Sequence, residues 1–347
     1  MSTPEPPAET PPPPRPIVLI LGPTAGGKTA LSIALAEALP GGGEVITADS
    51  MQVYRGMDIG TAKPTAEERR GVPHHLLDLV EPSDETFSVE RWLGLAEEAI
   101  ADIRARGRWP LVVGGTNLYV KALVFGLDRA PGPDEAVRAE LLALSREERR
   151  RRLEAADPAS AERIHPRDDR RTIRALEVHA AGGPRLSELQ QSWAGPPRRD
   201  DLVILGLDWP VEAINRRINR RVHQMMDAGL LEEVRALLAD PGLGEQARQA
   251  LGYRQLVQHL EVGGDRGPGA EGRLAEAVEQ IKIRTRRYAK QQRTWLRRFR
   301  GLPGTFFLDP TQEDAQVLVK QALESTLRAF PEPAPGPLDP DGAPDRS

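Results

Sequence analysis

The chain has 347 residues, 39% of them hydrophobic, enough for one large domain or two ordinary ones with a sizeable core. It contains no cysteine, so disulfides, Cys-ligated zinc and thiolate catalysis are all excluded. With 47 basic and 51 acidic residues the net charge is −4, so any nucleic-acid surface has to be local, and no apolar run reaches the roughly 18 residues of a membrane span.

Residues 1–15 form a Pro-rich stretch with neither a basic start nor an apolar segment, and residues 331–347 repeat that composition. Both are expected to be disordered, and the default expectation is a soluble cytoplasmic protein. Ile17 to Leu21 is an uninterrupted apolar run and reads as a buried strand. It runs into Gly22-Pro23-Thr24-Ala25-Gly26-Gly27-Lys28-Thr29, and helical spacing follows at Leu31, Leu35, Ala38 and Leu39.

Strand, glycine loop and helix in that order make a phosphate-binding loop. Glycines let successive N–H groups turn toward an anion, and the helix start adds unpaired donors and a positive dipole end. Lys28 is placed to reach the terminal phosphates and the Thr29 hydroxyl to hold Mg²⁺. The loop alone leaves open which phosphorylated molecule it binds.

Pro40-Gly41-Gly42-Gly43 stops the first helix, and Glu44 to Ala48 reads as a second buried strand ending at Asp49-Ser50. Leu76 to Val80 is a weaker strand. Ser88 caps a helix with apolar positions Val89, Trp92, Leu93, Ala96, Ile100 and Ile103, ended by Gly107. Pro110 to Val113 is the next strand, closed by Gly114-Gly115-Thr116. Such alternation predicts a parallel sheet with helices on both faces and a ligand site at the C-terminal strand ends. The loop, Asp49 and Thr116 all fall there.

Residues 128–197 carry helical patterns only and many arginines, fenced by Pro131-Gly132-Pro133 and Gly195-Pro196-Pro197. This is an expected all-helical insert in an α/β core made of 16–127 and 198–330. Strand pattern resumes at Leu202 to Leu207. Helices are expected at about Val211 to Ala228, Leu230 to Ala239 and Arg273 to Arg300, then a strand at Thr305 to Leu308 and a last helix ending near Arg328. Lys282 to Arg300 carries nine cations and no acid, with Ile281, Tyr288, Trp295 and Phe299 as its core-facing positions. The plain reading of that face is solvated surface; the absence of interspersed carboxylates favours a polyanionic partner.

Together these stretches resemble the bacterial tRNA dimethylallyltransferase (tRNA isopentenyltransferase) family. The residues that carry the resemblance are the loop, Ala48 to Pro64 (beginning Asp49-Ser50-Met51-Gln52-Val53-Tyr54), Pro73 to Asp78 and Val113 to Tyr119. It continues through Arg170 to Glu177, Arg217-Ile218, Arg221-Val222, Ala250 to Arg254 and Lys290 to Trp295, over roughly residues 16–308. Gly26 stands where many members carry Ser or another small residue, and a zinc-finger extension of eukaryotic relatives is missing.

The resemblance implies a P-loop NTPase-like fold and transfer of a dimethylallyl group from dimethylallyl diphosphate to N6 of the adenosine 3′ of the anticodon, with Mg²⁺ and without ATP hydrolysis. It assigns the loop, Lys28, Arg217 and Arg221 to the diphosphate, Asp49 to general base and Thr116 to orienting the target amine. A lesser role for Asp49, as a carboxylate near Mg²⁺, stays open. The implied tRNA surface comprises Asp49, Ser50, Met51, Gln52, Thr116, Arg138, Arg170, Arg171, Arg174, Gln249, Gly252, Tyr253, Arg254, Lys290, Arg293, Trp295 and Arg297. The partner is the tRNA anticodon stem-loop, no membrane is involved, and a monomer is expected. Adjacent His74 and His75 point opposite ways on a strand and lack a third ligand, which favours packing or tRNA contact over metal. Two rival functions are a small-molecule P-loop kinase and a nucleotide-dependent RNA-binding switch without catalysis.

Overall fold

The computed structural model describes residues 14–84, 87–127, 130–132, 134–190, 195–239, 242–264, 269–311 and 314–330. The stretch expected to be disordered at the C-terminal end, and all but Pro14 and Arg15 of the N-terminal one, lie outside these residues. Arg15 itself is part of the fold. Its carbonyl accepts from Arg104 Nε at 2.6 Å and its guanidinium sits 4.9 Å from the Trp109 ring centre.

The chain separates into two compact units, residues 1–117 with 201–347, and residues 118–200. The first is built on a six-stranded sheet: β1 (Ile17–Leu21), β2 (Gly43–Ala48), β3 (His74–His75), β4 (Trp109–Gly114), β5 (Leu202–Leu207) and β6 (Thr305–Leu308), in the order β3-β2-β4-β1-β5-β6. All pairings are parallel; Leu21 lies beside both Gly114 of β4 and Gly206 of β5, and Ala48 of β2 beside Gly114. That register brings the ends of β1, β2 and β4 to one level.

Successive side chains leave a strand on opposite faces, so a sheet covered on both sides needs apolar residues at every position. In β1, Ile17, Val18, Leu19 and Ile20 are fully buried. Val18, Ile20, Leu111, Val113, Val203 and Leu205 join one core with Leu31 and Leu35 of the Lys28–Ala38 helix and Ala322 of the Ala315–Ala329 helix. The Val89–Ala105 helix starts where Ser88 accepts from Arg91 N–H, and its Trp92 donates to the Thr47 carbonyl at 2.9 Å.

The strand expected at Leu76 to Val80 is instead two residues earlier and shorter. His74 and His75 pair with Val45 and Ile46, whereas Leu76 and Asp78 have φ of 63° and 53°, a left-handed backbone that no strand can contain. Val80 makes only an isolated bridge to Tyr54.

The second unit contains no strand among its described residues. It begins at Leu118 rather than at 128 and runs to Asp200, because the Asn117–Phe125 helix, apolar enough to read as core of the sheet, belongs almost entirely to it. Leu141, Leu153, Ile164, Ile173 and Leu176 form its own core. Asp157 joins two of its helices: it accepts from Ser160 N–H, Ser160 Oγ and Ser187 N–H. Burial works against its charge, but these donors outweigh it and hold the carboxyl down at about 2.

Candidate active site

The loop after β1 turns through two left-handed residues, Ala25 at φ 61° and Gly27 at φ 85°, and the helix begins at Lys28. Gly26 has a steric reason for being glycine. A Cβ there would lie 2.7 Å from the Pro23 carbonyl oxygen and 3.2 Å from Trp209 Nε1. The Trp209 indole donates to the Gly26 carbonyl at 2.9 Å, and Arg217 Nε donates to the Ala25 carbonyl at 2.8 Å while its guanidinium lies 4.8 Å from the Trp209 ring centre. Arg217, expected at the diphosphate, therefore also braces the loop.

Lys28 Nζ donates to the Gly22 and Pro23 carbonyls at 3.1 and 3.0 Å. Burial, reinforced by nearby Arg221 and opposed by Asp49, lowers its pKa to about 8. Burial likewise pulls Arg221 below the usual guanidinium range, with Asp49 acting in the opposite direction. Asp49 follows β2, and its Oδ1 accepts from Met51 N–H at 2.9 Å. Beside it Thr116 follows β4: its N–H donates to the Ala48 carbonyl at 3.2 Å and its Oγ1 accepts from Ser50 N–H at 3.0 Å. The strands come so close that a Cβ on Gly114 would fall 2.1 Å from the Ala48 oxygen.

Three cavities meet at these groups. One of about 1040 Å³ is lined by Gly26 to Thr29, Arg217 and Arg221. A second of about 310 Å³ is lined by Thr24, Asp49, Tyr288 and the apolar Ile218, Val222 and Leu251. A polar third of about 60 Å³ lies against Lys28, Thr29, Asp49 and His74. Arg221 lines all three, between the loop and Asp49. A loop that can take an anion on one side, an apolar pocket on the other, and Asp49 and Arg221 on the walls of both suit a substrate that joins a diphosphate to a hydrocarbon.

A family model described as IPP transferase matches residues 52–299, and one described as isopentenyl transferase matches residues 15–86. The chain belongs to the IPP transferase family. A tRNA dimethylallyltransferase of Anaeromyxobacter dehalogenans (strain 2CP-C) is 51% identical over 290 residues, covering 82% of this chain and 93% of the relative. One from Geobacillus kaustophilus is 49% identical over 291 residues, covering 81% and 87%. The solved tRNA isopentenylpyrophosphate transferase of Bacillus halodurans superposes with TM-score 0.62 at 40% identity, covering 90% of this chain and 98% of that one. A eukaryotic dimethylallyltransferase solved acting on tRNA gives TM-score 0.74 at 29% identity, covering 89% and 78%.

Within this IPP transferase fold the residues expected at tRNA fall into two groups. Ser50, Met51, Gln249 and Gly252 line the 310 Å³ cavity with Asp49, and Arg254, Lys290 and Arg297 are exposed. Arg170 is exposed in the helical unit. Others already have partners within the protein, though Arg171 remains exposed. Tyr253 is fully buried, its hydroxyl donating to Glu233 Oε1 at 2.5 Å, so it is unavailable for direct tRNA contact. Burial, then Glu233, push its pKa up. Arg138 and Arg174 both bind buried Glu177, Arg174 also donating to the Pro131 carbonyl at 2.6 Å, and Arg171 lies 3.5 Å from Asp168. Gln52 Nε2 donates to the Thr61 carbonyl at 3.1 Å. Arg293 is half-buried, and Trp295 sits under the Arg298 guanidinium at 5.0 Å and against Phe299.

The nine-cation ridge is also reduced. Lys282 and Arg286 share Glu279, which lies just before Lys282 on the same helix, and Arg300 binds Asp208 at 2.7 Å. Its buried face is Ile281, Ala289, Gln292, Leu296 and Phe299, with Tyr288 and Trp295 only half-buried. His75 Nε2 binds Glu44 at 2.7 Å, whereas His74 Nδ1 donates to the Val72 carbonyl at 2.8 Å. Burial lowers the His74 pKa.

Sequence reasoning missed Tyr288, Gln292, Trp209 and Glu233. Glu233 accepts from three successive amides, Asp58, Ile59 and Gly60, and so fixes the Met57 to Thr61 turn beside the cavity. A polar Gln292 recurring with apolar residues on a helix's buried face was the one available signal.

Proposed function

We propose that this protein is an enzyme that transfers a dimethylallyl group from dimethylallyl diphosphate to tRNA, onto N6 of the adenosine 3′ of the anticodon. The observation that carries the reading is that Asp49, whose neighbour Ser50 is tied to Thr116 on the next strand end, shares its cavities with residues of the phosphate loop and Arg221. The names of the relatives point the same way, and nothing favours the kinase alternative.

The exocyclic amine of adenine is a weak nucleophile because its lone pair is delocalised into the ring. As the new N–C bond forms, Asp49 takes the amine proton; Oδ1 is occupied by Met51 N–H, which leaves Oδ2 for it. Thr116 orients the base through its hydroxyl. The C–O bond to diphosphate breaks and its electron pair leaves with the diphosphate, where loop amides at the helix start, Lys28 and Arg221 balance the charge. The dimethylallyl group lies among Ile218, Val222 and Leu251. A stacked base is out of reach, so the adenosine must be extruded toward Asp49.

For Mg²⁺ the Thr29 hydroxyl, which lines the 60 Å³ cavity, is a hard oxygen ligand of the right kind. Among the described residues no group of three His, Cys, Asp or Glu could hold a metal alone, so water and diphosphate would complete the shell. When bound, Mg²⁺ supplies further positive charge to the leaving group. No helix among the described residues is long and apolar enough to cross a membrane. On this reading the enzyme works in the cytoplasm as a monomer.

The test is incubation of the purified protein with tRNA, Mg²⁺ and dimethylallyl diphosphate, then nucleoside mass analysis. N6-dimethylallyladenosine is the expected product; transfer of an ATP γ-phosphate to any acceptor would defeat the reading. Asp49→Asn should then lower kcat by about 10²–10⁴-fold with tRNA affinity kept. Rescue of that variant by high Mg²⁺ would reassign Asp49 to metal binding.

A further inference from the structure

Gln292 sits on the Ala270–Leu296 helix, only 5% exposed, and its amide is used at both ends. Oε1 accepts from Thr24 N–H at 2.8 Å, in the phosphate loop. Nε2 donates to the Gly115 carbonyl at 2.9 Å, one residue before Thr116. One turn earlier on the same helix, Tyr288 donates to that carbonyl at 3.1 Å. Position 115 is shaped around this contact, since a Cβ there would lie 2.1 Å from Gln292 Nε2. Thr24 N–H and Gly26 N–H are both held within the protein, the latter by the Pro23 carbonyl at 3.1 Å. These two amides are thereby taken from an anion, which falls to the remaining loop amides and those at the helix start.

We propose that Gln292 is a positioning residue that sets the separation of the diphosphate loop from the acceptor-orienting Thr116, with Tyr288 as its auxiliary. The inference rests on the prenyl-transfer reading above. One side chain ties the donor loop to the acceptor strand end, and it projects from the helix whose outer face exposes Arg284, Arg287 and Lys290. A polyanion seated on that face is thereby mechanically linked to both reacting ends. In-line displacement is sensitive to such spacing: a misplacement of about 1 Å costs about 10²-fold in rate.

Two variants test it. Gln292→Met keeps the length and apolar stem but neither hydrogen bond, and Gln292→Glu keeps the acceptor for Thr24 N–H while setting a carboxylate against the Gly115 carbonyl. Both are compared with wild type for kcat, KM of dimethylallyl diphosphate, tRNA affinity, inorganic pyrophosphate affinity and thermal melting. The expected result for Gln292→Met is a fall in kcat of about 10²-fold with both affinities within about threefold and cooperative melting retained. Gln292→Glu should lose kcat too, and Tyr288→Phe only a few-fold. Unchanged kcat in folded Gln292→Met, or a rise in KM alone, overturns the proposal. Should both Gln292 variants fail to melt cooperatively, the residue is structural and the proposal is likewise overturned. An inactive wild type in the same assay would instead count against the prenyl-transfer reading itself.

Discussion

The helical unit and the Ala270–Leu296 helix are both rich in cations, and they use them in opposite ways. In the helical unit most arginines whose contacts are described spend their donors at home. Arg138 and Arg174 bind Glu177, Arg146 and Arg149 bind Asp169, and Arg150 donates to the Ala161 and Ile164 carbonyls. Arg151 and Arg152 both reach Glu148. On the long helix Arg284, Arg287 and Lys290 stay exposed beyond Glu279, as does Arg297 just past its end. Charge density alone does not make a polyanion surface; what decides is whether a carboxylate of the same unit already faces each cation.

The largest expected effect separates the two regions directly. Arg138→Ala with Arg174→Ala would strand Glu177, whose side chain is 1% exposed, and removing the partners of a buried charge costs about 3–5 kcal/mol. Chemical denaturation should register that loss while the salt dependence of tRNA binding stays put; weaker binding with unchanged stability would collapse the distinction. Next, Arg284, Lys290 and Arg297 replaced together by Ala should leave melting alone and flatten the slope of log K against log salt by about two to three units, near 0.7–0.9 per lost phosphate contact. An unchanged slope returns these residues to solvated surface.

Lys28 is a third kind of cation, half-buried and donating to two carbonyls, and it predicts a pH dependence. Its folded pKa, about 8, lies below the ordinary lysine value of 10.5 that applies to the unfolded chain, so the charged form is penalised in the fold. That penalty is fully present below pH 8 and is relieved as pH rises from about 8 to 10.5, so this group makes the free protein more stable across that window. Diphosphate binding needs the proton, so donor affinity should weaken by up to about tenfold per pH unit above 8. Titration of donor binding between pH 7 and 10 checks it, and a flat profile would show that Lys28 stays charged. The smallest effect belongs to Arg151→Ala, an exposed pair partner of Glu148, which should alter neither melting nor tRNA affinity measurably.

The sheet was legible where burial imposed a pattern. β1, β5 and β6 are apolar runs with the bounds expected, because each is punctuated by Gly, Pro or Asp. β3 was not legible, since its two residues pair through backbone atoms and its neighbours Leu76 and Asp78 are left-handed. At the site, Lys28, Thr29, Asp49 and Thr116 can be found from the sequence because strand ends and a glycine loop locate them. Tyr288, Gln292 and Trp209 cannot, because their partners are main-chain atoms more than 170 residues away in the chain. The assignments of Tyr253, Arg138 and Arg174 to tRNA came from resemblance, and Glu233 and Glu177 are where the structure finds them engaged.

Gly60 and Tyr253 are in contact across most of the chain's length, and this limits the order in which the sequence can drift. A Cβ at position 60 would lie 2.4 Å from Tyr253 Cε2, while the same ring's hydroxyl and the Gly60 amide share the Glu233 carboxylate. Gly60→Ala on its own is therefore a dead end, whereas Tyr253→Leu opens the space first and leaves Glu233 with its three amides. Room for a larger residue at 60 therefore requires a smaller one at 253, and this contact ties what the two positions can hold.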